Sequence, residues 1–224
     1  MDPRLRMAVD ASACWYDQLC ALHGVGCAIH DGLWLSHGPP PPLHSAAKSV
    51  EPAVTAAQAL VGVADQEHCS IADSFGMLTL DREMDLLIEA RWLHRPALDE
   101  PPKGLPSGWA PVRSADTLAE WTARHDTAEV LLPGILERSS FALLGRRDGS
   151  ALTAGAVTHL CGGVVSVSNV WAAPGHETDW TELVHLVHAV HPGRAMVGYE
   201  LGEELARALD AGFADVGPHL VWIR

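Results

Sequence analysis

Residues 195–213 read AMVGYELGEELARALDAGF, and this stretch decides the fold class. Residues 195–199 are apolar, aromatic or small, as in a buried strand. Residues 202–210 then place apolar side chains at helical spacing, and Gly212 offers a left-handed stop. A buried strand that leads directly into an amphipathic helix is typical of α/β proteins. The stretch therefore predicts an α/β protein in which helices pack on a mixed sheet.

The residues before this stretch predict three successive antiparallel strands. They are the apolar runs 141–146, 151–160 and 164–171. Asp148-Gly149 has the composition of a tight hairpin turn between the first two runs. The second and third runs are joined by Cys161-Gly162-Gly163, which is a turn of the same short kind.

Two pairs of residues have the spacing of a helix capping box, in which a polar N-cap precedes a glutamate by three positions. They are Thr117 with Glu120 and Asp179 with Glu182. The other elements predicted after residue 108 are a strand at 109–113, a short helix at 133–138 and a last strand at 220–223. We expect one mixed sheet with helices on both faces, in which strands 164–171 and 195–199 are adjacent and parallel until they diverge.

A proline-rich segment, residues 99–108, divides the chain near its middle. Proline and glycine at this density are typical of a linker. We therefore interpret residues 1–98 as an N-terminal α/β region and residues 109–224 as a second domain. The elements predicted in the first region are a helix at 13–23, a hairpin at 27–35 that turns at Asp31-Gly32 and a helix at 51–63. Residues 84–95 fit neither a strand nor a helix period cleanly, and we favour a strand because Pro96 ends the segment abruptly.

The charge of the chain excludes one class of function. The 28 acidic residues outnumber the 15 basic ones, so the net charge is −13 with neutral histidines. A chain this acidic has no general attraction for phosphate backbones, and general nucleic-acid binding is not expected. Hydrophobic residues make up 48% of the chain, which is ample for a buried core.

Composition also predicts where the protein acts. We find no secretory signal and no apolar run long enough to span a membrane, so no membrane partner is expected. The 5 cysteines are an odd number without CxxC spacing, which fits reduced thiols in a cytoplasmic protein. The residue usage, poor in lysine and rich in arginine, alanine, glycine and proline, is typical of a high-GC bacterial genome.

The order of elements over residues 109–223 resembles the GCN5-related N-acetyltransferase (GNAT) superfamily. Residues 199–213 resemble the strand, helix and Gly-Phe ending of that family, and Ser168-Asn169-Val170-Trp171 resembles the end of its central strand. The resemblance covers about half of the chain. Residues 73–80 with 92–96 resemble a second closing segment, so the N-terminal half is interpreted as a degenerate GNAT-like copy.

The resemblance implies an N-acyltransferase that moves an acyl group from acetyl-CoA or another acyl-CoA to a small-molecule amine. The positions it assigns to the cofactor are Val170, Trp171, Ala172 and Thr178. In the family a glycine-rich loop holds the pyrophosphate of CoA at a helix N-terminus. Here residues 174–181 read PGHETDWT, which lacks those glycines and adds negative charge where a dianion would dock.

The catalytic residues predicted from the resemblance are Asn169, Tyr199 and Glu200. The usual general acid of the family is a tyrosine five residues before the Gly-Phe phenylalanine, and Ala208 occupies that position here. Tyr199 is the one tyrosine of the second half, and Glu200 is the best general base beside it. Strand alternation predicts that at most one of these two side chains faces the acyl slot unless the chain bends.

Two alternatives to this function stay open at the level of sequence. One is a non-catalytic binding module of the same fold, in which the altered loop reflects lost cofactor binding. The other is an aminoacyl-tRNA-dependent acyltransferase, which needs no CoA loop. The pattern His185-x2-His188-x2-His191 lacks a completing cysteine or carboxylate, so we predict no metal site. A homodimer is also left open.

Overall fold

A computed structural model describes all residues from 1 to 224, and its strands belong to one sheet. The strands are β1 (Cys27–His30), β2 (Leu33–Ser36), β3 (Ala47–Ser49), β4 (Ser70–Asp73), β5 (Asp85–Arg95), β6 (Trp109–Pro111), β7 (Phe141–Asp148), β8 (Ala151–Cys161), β9 (Val164–Ala172), β10 (Ala195–Glu200) and β11 (Ala214–Ile223). The helices are α1 (Pro3–Leu22), α2 (Ala56–Gly62), α3 (Ala115–Arg124), α4 (Trp180–Val190) and α5 (Gly202–Asp210), with a 3-10 helix at Pro133–Glu137. None of these helices combines the length and apolar composition that crossing a bilayer requires.

The strand order is β1-β2-β3-β4-β11-β5-β10-β9-β8-β7-β6. The predicted mixed α/β architecture is confirmed, since β10 pairs parallel with β9 and antiparallel with β5. The predicted neighbours 164–171 and 195–199 are β9 and β10, and they are adjacent and parallel. The sheet also contains one arrangement that the sequence did not predict. β5, which precedes the linker, lies between β10 and β11.

Helices cover both faces of the sheet, as predicted. Met196 and Val197 are consecutive residues of β10 and therefore point to opposite faces. Met196 packs in a cluster with α4 and α5, whereas Val197 packs in a cluster with α1. A third cluster joins α1 to α3 around Trp15 and Trp121. The candidate site lies where α1 crosses the strands β9 and β10.

Two helices begin earlier than the sequence patterns predicted. α1 starts at Pro3 rather than at residue 13, because the Asp2 side chain accepts a hydrogen bond from Arg4 N at 2.8 Å and proline suits the first helical turn. α3 starts after Ser114, whose hydroxyl caps Thr117 N at 3.2 Å. The predicted capping box at Thr117 was therefore placed one turn too late.

Strand ends and turns also differ in detail from the predictions. The hairpin at Asp31-Gly32 is confirmed, with φ of 49° and 80° at the two residues. The β7–β8 turn is Gly149-Ser150 rather than Asp148-Gly149, because Asp148 still pairs with Ala151. β11 begins at Ala214 rather than at residue 220. Its pairing with β5 shifts register between Asp215 and Gly217, and the strand continues past this irregularity.

Residues 99–108 connect β5 to β6, as expected of a linker, but the sheet continues across the two sides of it. β5 belongs to residues 1–98 by sequence and pairs with β10 and β11 by position. The division into two domains, and the interpretation of the first as a degenerate copy, stay predictions.

Candidate active site

β9 and β10 run side by side for a short distance and then part. Their parallel pairing extends from Val164 opposite Ala195 to Ser166 opposite Val197. Beyond these pairs a cavity of about 290 Å³ opens between the strands and α1. This volume lies at the lower end of the roughly 300–1,000 Å³ that small-ligand sites occupy. The cavity is therefore large enough for a small substrate.

An irregularity in β9 lies at the same point. Ser168 faces Val157 of β8, and Trp171 faces Gly155, so β9 carries one residue more than its partner over this interval. Asn169 adopts a φ of 50°, which is a left-handed conformation that asparagine tolerates better than most residues. A bulge of this kind leaves a backbone group outside the ladder and redirects side chains. Here that redirected backbone borders the cavity.

The walls of the cavity come from both sides of the linker. β9 and β10 supply one wall, and α1, the loop before β3, Trp92 of β5 and His125 at the end of α3 supply the others. The lining residues are Ala8, Ser12, Trp15, Tyr16, Leu43, His44, Trp92, His125, Val130, Ser166, Val167, Ser168, Asn169, Val170, Val197, Gly198, Tyr199 and Glu200. Apolar and aromatic walls with a few polar groups are typical of a ligand site.

Glu200 is the last residue of β10 and lines the cavity. Burial raises the pKa of its carboxyl to about 7, and the nearby carboxylate of Glu204 adds to the effect. Glu204 is itself held by the Trp180 indole N–H at 2.7 Å and by Arg207 at 2.9 Å. Glu200 is therefore a partly buried carboxyl that changes charge near neutral pH.

Tyr199 also lines the cavity, although 41% of its surface is exposed. Its ring packs against Trp92 and against His219, with centroid distances of 5.5 Å and 4.6 Å. Burial, Tyr16 and Glu200 raise the pKa of its hydroxyl, so the group keeps its proton at neutral pH. Strand alternation predicted that at most one of the side chains of Tyr199 and Glu200 would face the cavity. Both residues border it, because β10 ends at this point.

The other predicted site residues divide between two places. Val170 and Asn169 line the cavity, and the Asn169 side-chain amide donates a hydrogen bond to Ser168 Oγ at 3.0 Å. Trp171 is buried beside Trp121 in the hydrophobic core. Ala172 pairs with Ala154 of β8, and Thr178 lies beside the N-terminus of α4. Val170, Trp171 and Thr178 border one small space beside the N-terminus of α4, and Val170 also lines the cavity.

The N-terminus of α4 does not fit the pyrophosphate of CoA. The space next to Thr178 measures about 10 Å³, which is about the room for one water molecule. The Asp179 carboxylate accepts the backbone N–H of Glu182 at 2.9 Å, so it occupies a donor that an anion would use. Glu182 is in turn paired with Arg146 at 3.0 Å. The helix end is thus closed and already carries its own carboxylates.

Two cavity residues that the sequence did not indicate are aromatic neighbours from α1 and from the loop before β3. The Trp15 indole N–H donates to His44 Nε2 at 2.9 Å, and His44 Nδ1 lies 2.9 Å from the carbonyl of Pro42. Nδ1 therefore carries the ring proton. Burial lowers the pKa of His44 to about 4, so this ring is neutral at physiological pH. The two hydrogen bonds of His44 hold Trp15 and the loop before β3 together in the cavity wall.

No protein-family model and no curated protein sequence matches the chain. Solved structures do match it over nearly its whole length. A GCN5-related N-acetyltransferase from Kribbella flavida aligns with 97% of this chain and 96% of its own, at a TM-score of 0.61 and 13% identity. This chain has the GNAT fold.

Two further structures match the chain over most of its length. A GCN5-related N-acetyltransferase-like protein from Streptococcus suis covers 100% of both chains at a TM-score of 0.56 and 10% identity. A conserved protein of unknown function from Staphylococcus epidermidis covers 89% of this chain and 94% of its own, at a TM-score of 0.64 and 10% identity. The GNAT fold therefore extends over both sides of the linker, including the inserted strand β5.

Proposed function

We propose that this GNAT-fold protein is an N-acyltransferase that transfers an acyl group to a small-molecule amine in the cavity between β9, β10 and α1. The position of Glu200 carries the proposal. Its carboxyl lies at the end of the strand that parts from β9, and its pKa of about 7 suits proton transfer at neutral pH. A buried carboxyl without such a task is more readily replaced by an apolar residue.

Glu200 serves as the general base. An amine enters the cavity as an ammonium ion, and the ionised carboxylate attracts it and accepts one of its protons. The neutral amine nitrogen then attacks the acyl carbonyl. A general base must lie within reach of the proton it accepts and must have a pKa near the working pH. The aromatic walls exclude bulk water from the reacting groups.

The remaining steps use the ends of the two strands. The backbone N–H groups of the bulge at Asn169-Val170, which borders the cavity, polarise the acyl carbonyl, as preorganised donors do for a developing oxyanion. The C–S bond of a thioester donor breaks as the C–N bond of the amide forms. The Tyr199 hydroxyl, which retains its proton, donates to the departing sulfur. The tetrahedral nitrogen returns its second proton to the Tyr199 oxygen, and Glu200 releases the first proton to solvent, so the products are one amide, one thiol and one proton.

The donor is proposed as an acyl thioester, and acetyl-CoA or another acyl-CoA is one form of it. The CoA nucleotide takes no part in these steps, because the α4 N-terminus does not fit its pyrophosphate. We also propose that the protein acts in the cytoplasm, where its five free cysteines would stay reduced.

The proposal is tested by donor binding followed by turnover. Acetyl-CoA, longer acyl-CoAs, free CoA and the nucleotide-free donor S-acetyl-N-acetylcysteamine are screened by thermal shift, since a bound ligand stabilises the folded state. Thiol release is then measured with a panel of primary amines. We expect amine-dependent thiol release with at least one donor. A folded protein that releases no thiol with any donor and amine would overturn the proposal.

A second candidate function is a non-catalytic binding module, and the closed N-terminus of α4 favours it. Asp179 caps that helix end, and Glu182 is paired with Arg146 beside it. In this case small ligands would stabilise the protein, yet none would be acylated. The same screen and assay therefore separate the two functions.

A further inference from the structure

Lys48 is a buried amine behind the wall of the cavity. It lies in the middle of β3 and is 0% exposed. Its Nζ lies 4.9 Å from the centroid of the Trp92 ring and 5.2 Å from that of Tyr16. Nζ makes no hydrogen bond. Both rings that contact the amine also line the cavity.

No carboxylate of the chain lies within ion-pair distance of this amine. The charge of the buried Asp73 attracts it from further away, while the oxygens of Asp73 accept hydrogen bonds from other groups. Oδ1 accepts from the backbone N–H of Phe75 at 3.1 Å and from the Ser49 hydroxyl at 3.4 Å. Oδ2 accepts from the backbone N–H of Leu78 at 2.7 Å. Asp73 therefore serves the turn that follows β4, and Lys48 has no ion-pair partner.

An unpaired buried ammonium is costly, because burial removes its hydration and nothing replaces it. An apolar side chain of similar length would be more stable in the same place. The two aromatic faces offset part of the cost by cation–π attraction and hold the amine in position. An anion that enters the cavity would offset much more, because charges attract strongly where the surroundings are weakly polar.

We propose that the cavity binds amines that also carry a carboxylate, and that Lys48 is the counter-charge for this carboxylate. The amine end rests on the proposed function, in which Glu200 is its partner. The carboxylate end stands on the unpaired amine of Lys48 and on the rings of Tyr16 and Trp92. The apolar walls suit a substrate that also carries a hydrophobic or aromatic group. The substrate class is thus an amino acid or a similar zwitterion.

The charge state of Lys48 depends on the groups that surround it. These groups are Tyr16 of α1, His44 of the loop before β3, Asp73 of β4, Tyr199 of β10 and His219 of β11. Burial keeps both tyrosines protonated and both histidines neutral near pH 7. Burial also lowers the pKa of Lys48 to about 7, so a bound carboxylate would draw a proton onto it. Binding of a carboxylate should weaken as the pH rises above 7.

The experiment measures binding without an acyl donor, so its outcome is independent of turnover. Isothermal titration calorimetry uses three ligands with the same phenyl ring. Phenethylamine carries only the amine, 3-phenylpropionate carries only the carboxylate, and phenylalanine carries both. We expect K48M to weaken binding of the two carboxylates about tenfold or more and to leave phenethylamine unchanged. The matched control is K103M, because Lys103 is the other lysine of the chain and is exposed.

The pH dependence gives a second test, made in E200Q because the Glu200 carboxyl also ionises near pH 7 and would repel a carboxylate. In this variant we expect the Kd of 3-phenylpropionate to rise about tenfold between pH 7 and pH 8.5. Equal binding of phenylalanine by wild type and K48M, a flat pH profile, or no binding of either carboxylate would overturn the inference. If K48M loses carboxylate binding but no amine is ever acylated, the subsite stands and the acyltransferase proposal fails.

Discussion

Trp92 of β5 and Tyr199 of β10 are opposite each other in neighbouring strands, and their rings meet edge to face with centroids 5.5 Å apart and planes at 88°. Trp92 precedes the linker and Tyr199 follows it. The tyrosine that we propose as the general acid is therefore positioned by a side chain from the other half of the sequence. His219 packs against both rings, at 4.3 Å from Trp92 and 4.6 Å from Tyr199.

Replacement of Glu200 by glutamine should remove the general base. We expect the acyl-transfer rate to fall by about 10²–10⁴-fold, which is the usual contribution of such a group. In the wild type kcat/KM should rise with pH through about 7, because the pKa of Glu200 is raised to that value and the ionised form is the base. The rate of the variant should lack this rise.

The control for Glu200 is Glu203→Gln on the exposed first turn of α5. It removes the same charge nearby without touching the cavity, and its pH profile should match the wild type. An E200Q enzyme with the full rate and the same pH limb would show that Glu200 is not the base.

Replacement of Tyr199 by phenylalanine should slow acyl transfer toward the lower end of that range, roughly 10²-fold. The effect is smaller because the leaving thiol has a pKa of about 8.5, so it can depart as a thiolate with little help from a general acid. The measurement is the rate with thioester donors of different thiol pKa, and the loss should grow as the thiol pKa rises. If Tyr16→Phe slows the reaction more than Tyr199→Phe does, the acid is Tyr16.

Local sequence patterns predicted most of the fold after the linker, because its elements pair mainly with neighbours in the chain. β7, β8 and β9 are consecutive antiparallel strands, and α4 begins at the predicted N-cap, Asp179. The strand at 84–95 was also predicted, but its place in the sheet was not. A strand shows by its own residues that it is buried and does not show which distant strand it pairs with.

The candidate site was predictable to the same extent. Asn169, Tyr199 and Glu200 follow from the ends of two strands that adjoin in the predicted topology, and all three line the cavity. Tyr16 and Trp92 reach it only through packing of α1 and insertion of β5. Lys48 gave no signal, because an isolated lysine is exposed in most proteins and only the structure shows that this one is buried.

The charges beside the α4 N-terminus should weaken CoA binding. Glu177 is exposed there and repels a dianion, so Glu177→Gln should tighten the binding of free CoA about 2- to 5-fold. The measurement is the Kd by calorimetry at low salt. The matched control is Glu83→Gln, an exposed glutamate in the loop before β5. An unchanged Kd in E177Q would show that the pyrophosphate of CoA does not lie beside Glu177.

Buried histidines should make the fold sensitive to acid. His159 is 0% exposed, and neither of its ring nitrogens has a hydrogen-bond partner. Burial lowers its pKa to about 4, whereas an unfolded histidine titrates near 6.5. The unfolded state therefore binds more protons, and stability present above pH 6.5 is lost as the pH falls toward 4.

The variant His159→Phe keeps the packing against Trp15 and Phe141 and removes the titrating ring. We expect its urea-unfolding free energy to fall less steeply between pH 6.5 and 4.5, by up to about 1.4 kcal/mol per pH unit. His30→Phe, at an exposed position, should keep the wild-type slope. Equal slopes for wild type and H159F would contradict the prediction.

The insertion of β5 between β10 and β11 also governs when the protein can mature during synthesis. Both strands that flank β5 are translated about a hundred residues after it, so it leaves the ribosome with two unpaired edges. Pairings between strands far apart in sequence slow folding and prolong the lifetime of aggregation-prone intermediates. The cavity cannot exist before β10 emerges, so a nascent chain has no site for a ligand to stabilise, and chaperone demand should peak late in translation.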